Sequence, residues 1–453
     1  MNFKPWIWAF IVIQVLLFHA SGANPDSRLG TLVAMKDRGA FDFDRPEWSL
    51  DVSIGPDGKV YSNKAPGPAL LAFPVFYVLD ELVLWGIPKE DSEARYQKRI
   101  KSKDAYYIPL CLIFQILPFA FVVLCLCRIL LIRFNLPKEG VWLFFVTCLF
   151  ANSASSFMNS FFGHGMAAMF LLAMGAALLN RNWVLTGLFF GLGLLCDYGV
   201  ACLAPGLLWI WFKDAKPLFQ KLTHFVLGGV LPGVLWIFYH QVAFGGPFEI
   251  AIKFQDPSLQ IVKNEVHNFW GVFSLFPKVD ILAELLWGWS RGLLWTQPWC
   301  LLILGTLIFS KSKPKEVTRI TPLLVFGFAL LLVLNANFGG WWGGGSTGPR
   351  YLSIVFPLMA LPIPFLWKDF SKVLKSVLIF SVIVSVLFWA LVFATSIHAP
   401  LTPLWPWFWD YFTGATFGRS VARLAVVVLS LLVAFFYSRR SRMPSLVSTK
   451  SVY

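Results

Sequence analysis

Val377–Phe393 reads VLIFSVIVSVLFWALVF, a run without one charge, and Ile320–Leu334 (ITPLLVFGFALLLVL) is a second. A helix of this composition is apolar on every face, and a soluble core cannot bury the outer faces of many such helices. Across the chain, 57% of the 453 residues are apolar and 14% are charged, against roughly 25% charged in an average soluble protein. The soluble-enzyme classes are therefore excluded. The runs are continuously apolar rather than alternating, which excludes a membrane β-barrel as well. At about 20 apolar residues per crossing, the composition limits the chain to about 13 spans. The expected fold is all-α: a polytopic helical membrane protein, one transmembrane domain over residues 1–453, with about 11–13 membrane helices.

The net charge of +14 points to orientation rather than to nucleic acid. Residues 213–221, 311–319, 368–375 and 439–450 together hold 14 basic and three acidic residues, whereas 246–291 holds four basic and five acidic ones. The basic loops are cytoplasmic under the positive-inside rule. Residues 24–66, 159–164, 246–291 and 335–350 then face outside. The seven cysteines lie in apolar runs without a paired CxxC set, so neither a disulfide framework nor a metal site is expected.

Trp6–Phe18 is a short apolar run after Lys4, and Ser21-Gly22-Ala23 has the look of a signal-peptidase site. Retention as a first span, with a cytoplasmic N-terminus, is the expectation. Residues 24–66 form a long polar outer loop with seven acids and six bases. Within it Leu29, Leu32, Val33 and Phe41 recur among charges and Gly39 is a stop, the pattern of an amphipathic helix lying on the membrane surface. Pro56-Asp57-Gly58-Lys59 signals a turn. Getting from residue 66 to a cytoplasmic loop at Arg128–Lys138 takes an odd number of crossings, yet 67–86 and 105–127 both read as apolar helices. Either one of them does not cross, or the six bases between 87 and 104 mislead. Residues 183–212 are too long for one span and too short for two, which predicts two short helices meeting at an outward-facing Asp197.

The chemistry-bearing residues cluster at the predicted outer ends. Asp26 stands just past the first span, where a lipid-borne and a water-borne substrate can meet, with Arg28 beside it. Lys64, just before the Pro66 that opens the next apolar run, sits at the depth of a lipid phosphate. Each of these is also readable as an ordinary interfacial charge. The elements Pro25-Asp26, Gly39 and Lys64-Ala65-Pro66, with the long first outer loop, resemble the GT-C superfamily of membrane glycosyltransferases. The likeness is to the branch of lipid A aminoarabinose transferases and protein O-mannosyltransferases. The resemblance implies that Asp26 is catalytic, that Lys64 contacts the phosphate of a polyprenyl-phosphate sugar, and that the helix after residue 66 need not cross fully. The mannosyltransferases carry an acidic pair where this chain has Asp26-Ser27, so a second carboxylate must come from elsewhere or is not needed.

Other candidates lie on the same side. His164, in Phe161-Phe162-Gly163-His164, suits acceptor binding or an interfacial hydrogen bond. Asp197-Tyr198 lies in an apolar stretch, where an acid is costly unless it is paired or faces a wet cavity. In Asn337–Tyr351, the Gly-rich backbone, Trp341, Trp342 and Arg350-Tyr351 suit a sugar and a phosphate, or else an interfacial Trp belt. Gly348-Pro349-Arg350-Tyr351 adds to the GT-C likeness. Arg291 is a further cation, and Trp405–Trp409 reads as a belt. The expected function is inverting sugar transfer from a polyprenyl-phosphate donor to a glycan, lipid or protein acceptor at the outer face. Asp26 is the expected general base, and Lys64 with Arg350 or Arg291 the expected phosphate clamp. Membrane lipids are the surrounding partner; no cofactor or nucleic acid is expected, no metal-ligand set is evident, and metal dependence is left open. The expected location is the bacterial inner membrane with a periplasmic site. A transporter or flippase of lipid-linked glycans is the alternative.

Overall fold

The computed structural model describes residues 2–18, 22–43, 45, 48–213, 217–255, 268–269, 272–344, 346–395, 404–414 and 416–440. Ser21 of the signal-peptidase-like triplet, Asp44, Ser258, Gly345, Arg442 and Lys450 lie outside the described residues, as do the side chains of Trp405 and Trp407 in the belt segment. The chain is 74% helical, and its strands among the described residues are two short antiparallel hairpins, Val52–Ile54 with Val60–Ser62 and Asn268–Phe269 with Phe273–Ser274.

Five helices are long and apolar enough to cross a membrane: Lys103–Ile132, Leu218–Phe244, Lys315–Asn337, Lys372–Ala394 and Phe417–Ser438. Shorter apolar helices accompany them. Leu218–Phe244 presents Val226, Leu231, Val234 and Phe238 outward, as only an apolar surrounding tolerates in a contiguous stripe. The chain is a helical membrane protein. Lys103–Ile132 contains Pro109 and Pro118, each lacking a donor, and the π-turn Leu112–Ile116 between them takes up the irregularity.

The first-loop helix runs Ala23–Arg38 and ends at Gly39, whose left-handed backbone (φ 64°) caps it. Its extent matches the sequence pattern, but its setting differs: it is buried within the protein along most of its length, with Leu29 and Leu32 fully enclosed. Helix Gly67–Val83 packs beside it. The Ser27 hydroxyl lies 2.6 Å from that of Ser62, at the end of the strand that precedes this helix, and towards the helix's end Asp80 meets the Lys36 ammonium at 2.8 Å. Arg99, on helix Ser92–Lys101, forks to Asp37 (2.6 Å) and Asp80 (2.7 Å), and the Tyr106 hydroxyl donates to Asp80 at 2.8 Å. Helices Gly67–Val83 and Ser92–Lys101 thus stay in one layer with the first-loop helix. Lys103–Ile132 alone leads away from that layer, to the opposite end, where Arg133 meets Asn180.

The predicted break at Asp197 is present: helix Trp183–Cys196 stops, a 3₁₀ turn spans Tyr198–Leu203, and Ala204–Lys213 follows. A second irregular stretch, Asn152–Phe162, is enclosed. Non-helical backbone away from water must find internal partners. Gln14 donates to the Ser155 carbonyl within it (2.8 Å) and Trp299 to the Ala151 carbonyl just before it (2.7 Å), while the Asn159 side chain donates outward to the Leu17 carbonyl (3.2 Å). This stretch delivers His164 to the same end as the first-loop helix.

Candidate functional site

Short β contacts join the predicted outer loops to one another. Ser53 bridges Gln255 and its hydroxyl donates to the Ala251 carbonyl (2.7 Å); Phe273 bridges Phe338, and the Gly339 amide donates to the Val272 carbonyl (2.8 Å). Between them lies a cavity of about 190 Å³. Its lining combines the polar Arg28, Asn63, Lys64, His164, Asp197, Asn335 and Arg350 with the apolar Ile252, Phe273, Leu331, Leu334 and Phe338 and the rings of Tyr198 and Tyr351.

Each cation reaches the cavity for a local reason. Arg28 is one helical turn from Asn24, so both face the same way, and its guanidinium is held by the Asn24 carbonyl and side-chain oxygen. A Cβ on Gly163 would sit 2.2 Å from the Cys196 carbonyl and 3.0 Å from Arg28 Nη2, so the helix start at Gly163 closes on both only as glycine. Lys64 is joined to Asp51 at 3.1 Å. Arg350 follows the glycine loop: its Nη1 donates to the Gly343 carbonyl (2.9 Å), and its guanidinium lies over the Phe162 ring at 4.5 Å. Gly343 has φ +73°, and a Cβ there would meet the Arg350 Cβ at 2.9 Å.

The cations are incompletely neutralised. Neither Arg28 nor Arg350 has a carboxylate within ion-pair distance among the described residues. Burial and the nearby Arg350 lower Arg28 to about 10. Burial also lowers Lys64, with Asp51 opposing and Arg350 and Arg28 adding to the effect. Burial alone would raise Asp51, but Lys64, Arg350 and Arg28 hold it below the usual carboxylate value. Three lining residues also carry buried polar atoms without a hydrogen-bond partner: Arg28 Nε, Asn63 Oδ1 and both side-chain ends of Asn335. Unpaired buried groups are costly, and an anionic, hydrogen-bonding ligand would satisfy them.

His164 links two of the charges. Its Nδ1 bonds the Asp197 carboxylate, and its Nε2 accepts from Arg350 Nε at 2.9 Å. Because the arginine Nε is always a donor, the imidazole proton is assigned to Nδ1. The other Asp197 oxygen accepts from the Gly199 amide (2.8 Å), so the acid in the helix break is held at both oxygens. The Tyr198 hydroxyl reaches His240 Nε2 at 3.1 Å.

Of the sequence-predicted residues, Arg28, Lys64, His164, Asp197, Tyr198, Arg350 and Tyr351 come together in this cavity. Asp26, Arg291, Trp341 and Trp342 do not line it. Asp26 is two positions from both Asn24 and Arg28, on the other side of the helix. One of its oxygens takes the Lys103 ammonium at 2.7 Å and the other the Tyr107 hydroxyl at 2.5 Å. Arg291 is buried in the base of the loops and donates to the carbonyls of Trp342 (3.2 Å) and Ser290 (3.0 Å). Trp341 is half-buried and packs against the cluster of Ile281, Leu285 and Ala336. Asp51, Asn63 and Asn335 were not anticipated. An amide directly after the apolar run to Leu334 is a usable signal for Asn335, whereas Asp51 is one of seven acids in its loop.

Neither a protein-family model nor a curated protein matches the chain.

Proposed function

We propose that the chain is a membrane glycosyltransferase of the GT-C kind that transfers a sugar from a polyprenyl-phosphate donor to an acceptor hydroxyl at the outer face. The observation that carries this reading is one cavity lined both by the cations Arg28, Lys64 and Arg350 and by the apolar Leu331, Leu334 and Phe338. A phosphate on a prenyl chain likewise combines an anionic head with an apolar tail. In the reaction, the cations stabilise the phosphate as it departs with the bonding electron pair. Attack by the acceptor from the opposite side of the anomeric carbon inverts it. The resemblance assigns proton removal to Asp26, which contacts Lys103 and Tyr107 outside the cavity; we read the base instead as a group that lines the cavity.

We read the five long helices, the six shorter apolar ones and Lys138–Phe150 as twelve crossings, the shorter ones as partial-length spans packed among the long ones. An even number keeps both ends on the side of the basic loops, in keeping with a cytoplasmic N-terminus and a periplasmic site in a bacterial inner membrane. The test is binding of undecaprenyl phosphate to the purified protein, followed by release of polyprenyl phosphate from a panel of polyprenyl-phosphate sugars. Binding with sugar transfer supports the reading. Binding and transbilayer movement with no bond cleavage would establish a flippase instead, and no binding at all would overturn both.

A further inference from the structure

Resting on the glycosyltransferase reading, we infer that His164 is the general base of the transfer, held by Asp197 and kept occupied by Arg350 until the donor's phosphate draws the arginine away. Three observations carry this. First, His164 and Asp197 line the cavity, whereas Asp26 faces Lys103 and Tyr107. Second, the imidazole has its proton on Nδ1 toward Asp197, so the lone pair on Nε2 is directed toward the arginine. A carboxylate behind the ring fixes that tautomer and stabilises the imidazolium that forms on proton uptake. Third, what fills Nε2 is the Nε–H of Arg350, which has no carboxylate partner among the described residues and shares the cavity with Arg28 and Lys64.

A phosphate held among those three side chains offers Arg350 a charged acceptor in place of a neutral nitrogen, and charge-assisted hydrogen bonds are roughly twice as strong as neutral ones. Arg350 turns toward the phosphate and Nε2 becomes open to an acceptor hydroxyl. The hydroxyl proton passes to Nε2, the acceptor oxygen bonds to the anomeric carbon, and the bond from that carbon to the phosphate oxygen breaks. The electron pair leaves with the phosphate, and His164 carries the proton opposite Asp197. The base is thereby exposed only when a donor is bound.

Turnover is followed as release of polyprenyl phosphate, with water or an added hydroxyl compound as acceptor, so the natural acceptor need not be known. His164→Gln is expected to lower kcat by about 10²–10⁴, with undecaprenyl phosphate binding within about threefold of the unsubstituted protein. His164→Ala should regain turnover when imidazole is added, which a purely structural histidine would not allow. Arg350→Ala should act on donor binding and KM, and imidazole should not restore it. Turnover of His164→Gln within threefold of the unsubstituted protein, or an inactive His164→Ala that folds and binds undecaprenyl phosphate but ignores imidazole, would overturn the assignment while leaving sugar transfer intact. An unsubstituted protein that neither binds undecaprenyl phosphate nor cleaves any donor would sink the function and this base together.

Discussion

Lys64 and Asp51 form one ion pair at 3.1 Å, yet it does not serve both partners equally. The carboxylate is held below its ordinary value and the ammonium is lowered too, because Lys64 is buried and shares its surroundings with Arg350 and Arg28. The cluster therefore carries more positive charge than its carboxylates offset, which is the electrostatic case for an anionic ligand. Removing one partner of a buried charge-assisted contact costs on the order of 2–5 kcal/mol. Lys64→Ala and Arg350→Ala should thus each raise the Kd for undecaprenyl phosphate by about 30-fold or more. Because they share one ligand, the double variant should lose less than the sum. Arg419→Ala, exposed and away from the cavity, is the control; equal losses in all three would leave only a diffuse positive surface. A pH measurement isolates Asp51. Its folded value is depressed, so its contribution to stability is complete above the ordinary 3.8 and is lost as pH falls through the depressed value. The Tm of the unsubstituted protein should exceed that of Asp51→Asn near neutrality, and the two curves should converge in acid.

At the scale of elements, the glycine loop and the first-loop layer do different work. Gly343 holds a left-handed backbone and supplies the carbonyl that Arg350 grips. A non-glycine residue there costs about 1–2 kcal/mol locally and pushes on the Arg350 Cβ. Gly343→Ala should therefore weaken undecaprenyl phosphate binding by about tenfold, equivalent to about 1.4 kcal/mol, while the protein still folds; unchanged affinity would show that the loop does not set Arg350. The first-loop layer is held by Asp80, which is fully buried and serves Lys36, Arg99 and Tyr106 at once. Breaking a buried ion cluster from one side typically costs about 3–5 kcal/mol through the charges left unpaired. Asp80→Asn should lower Tm measurably, and a Tm unchanged by this substitution would remove the cluster from the stability account.

At the scale of the molecule, the loop segments around Ser53, Gln255, Phe273 and Phe338 meet at one end, and the basic residues Arg133 and Lys221 belong to the other. Cysteine labelling across the membrane tests this directly. Ser62 and Ser346 are buried and suit the experiment poorly, whereas Asp57, Asp280 and Ser312 are exposed. Asp57→Cys and Asp280→Cys should react from the outer side and Ser312→Cys from the cytoplasmic side. Reaction of either outer position only from the cytoplasm would separate the loops that build the cavity.

Continuous apolar runs such as Val377–Phe393 determined by themselves that the chain is helical and membrane-bound, since no other arrangement hides an all-apolar helix from water. Local stops were equally legible: Gly39 ends the first-loop helix and Asp197 breaks the 183–212 segment, because backbone freedom and the cost of a buried acid act over a few residues. That Lys64 and Arg350 share one cavity agreed with their similar placement at helix starts, although 286 positions separate them. Only the tertiary structure decided which way Asp26 turns. A shift of two positions along a helix carries a side chain to the opposite face, and whether Lys103 and Tyr107 wait there depends on how a distant helix packs. The same holds for Gly67–Val83, whose composition permits a crossing but whose ion pairs from Asp80 to Lys36 and Arg99 keep it beside the first-loop helix. Pairing of buried charges is a contact between elements, and a single strand of sequence states the charges without stating their partners.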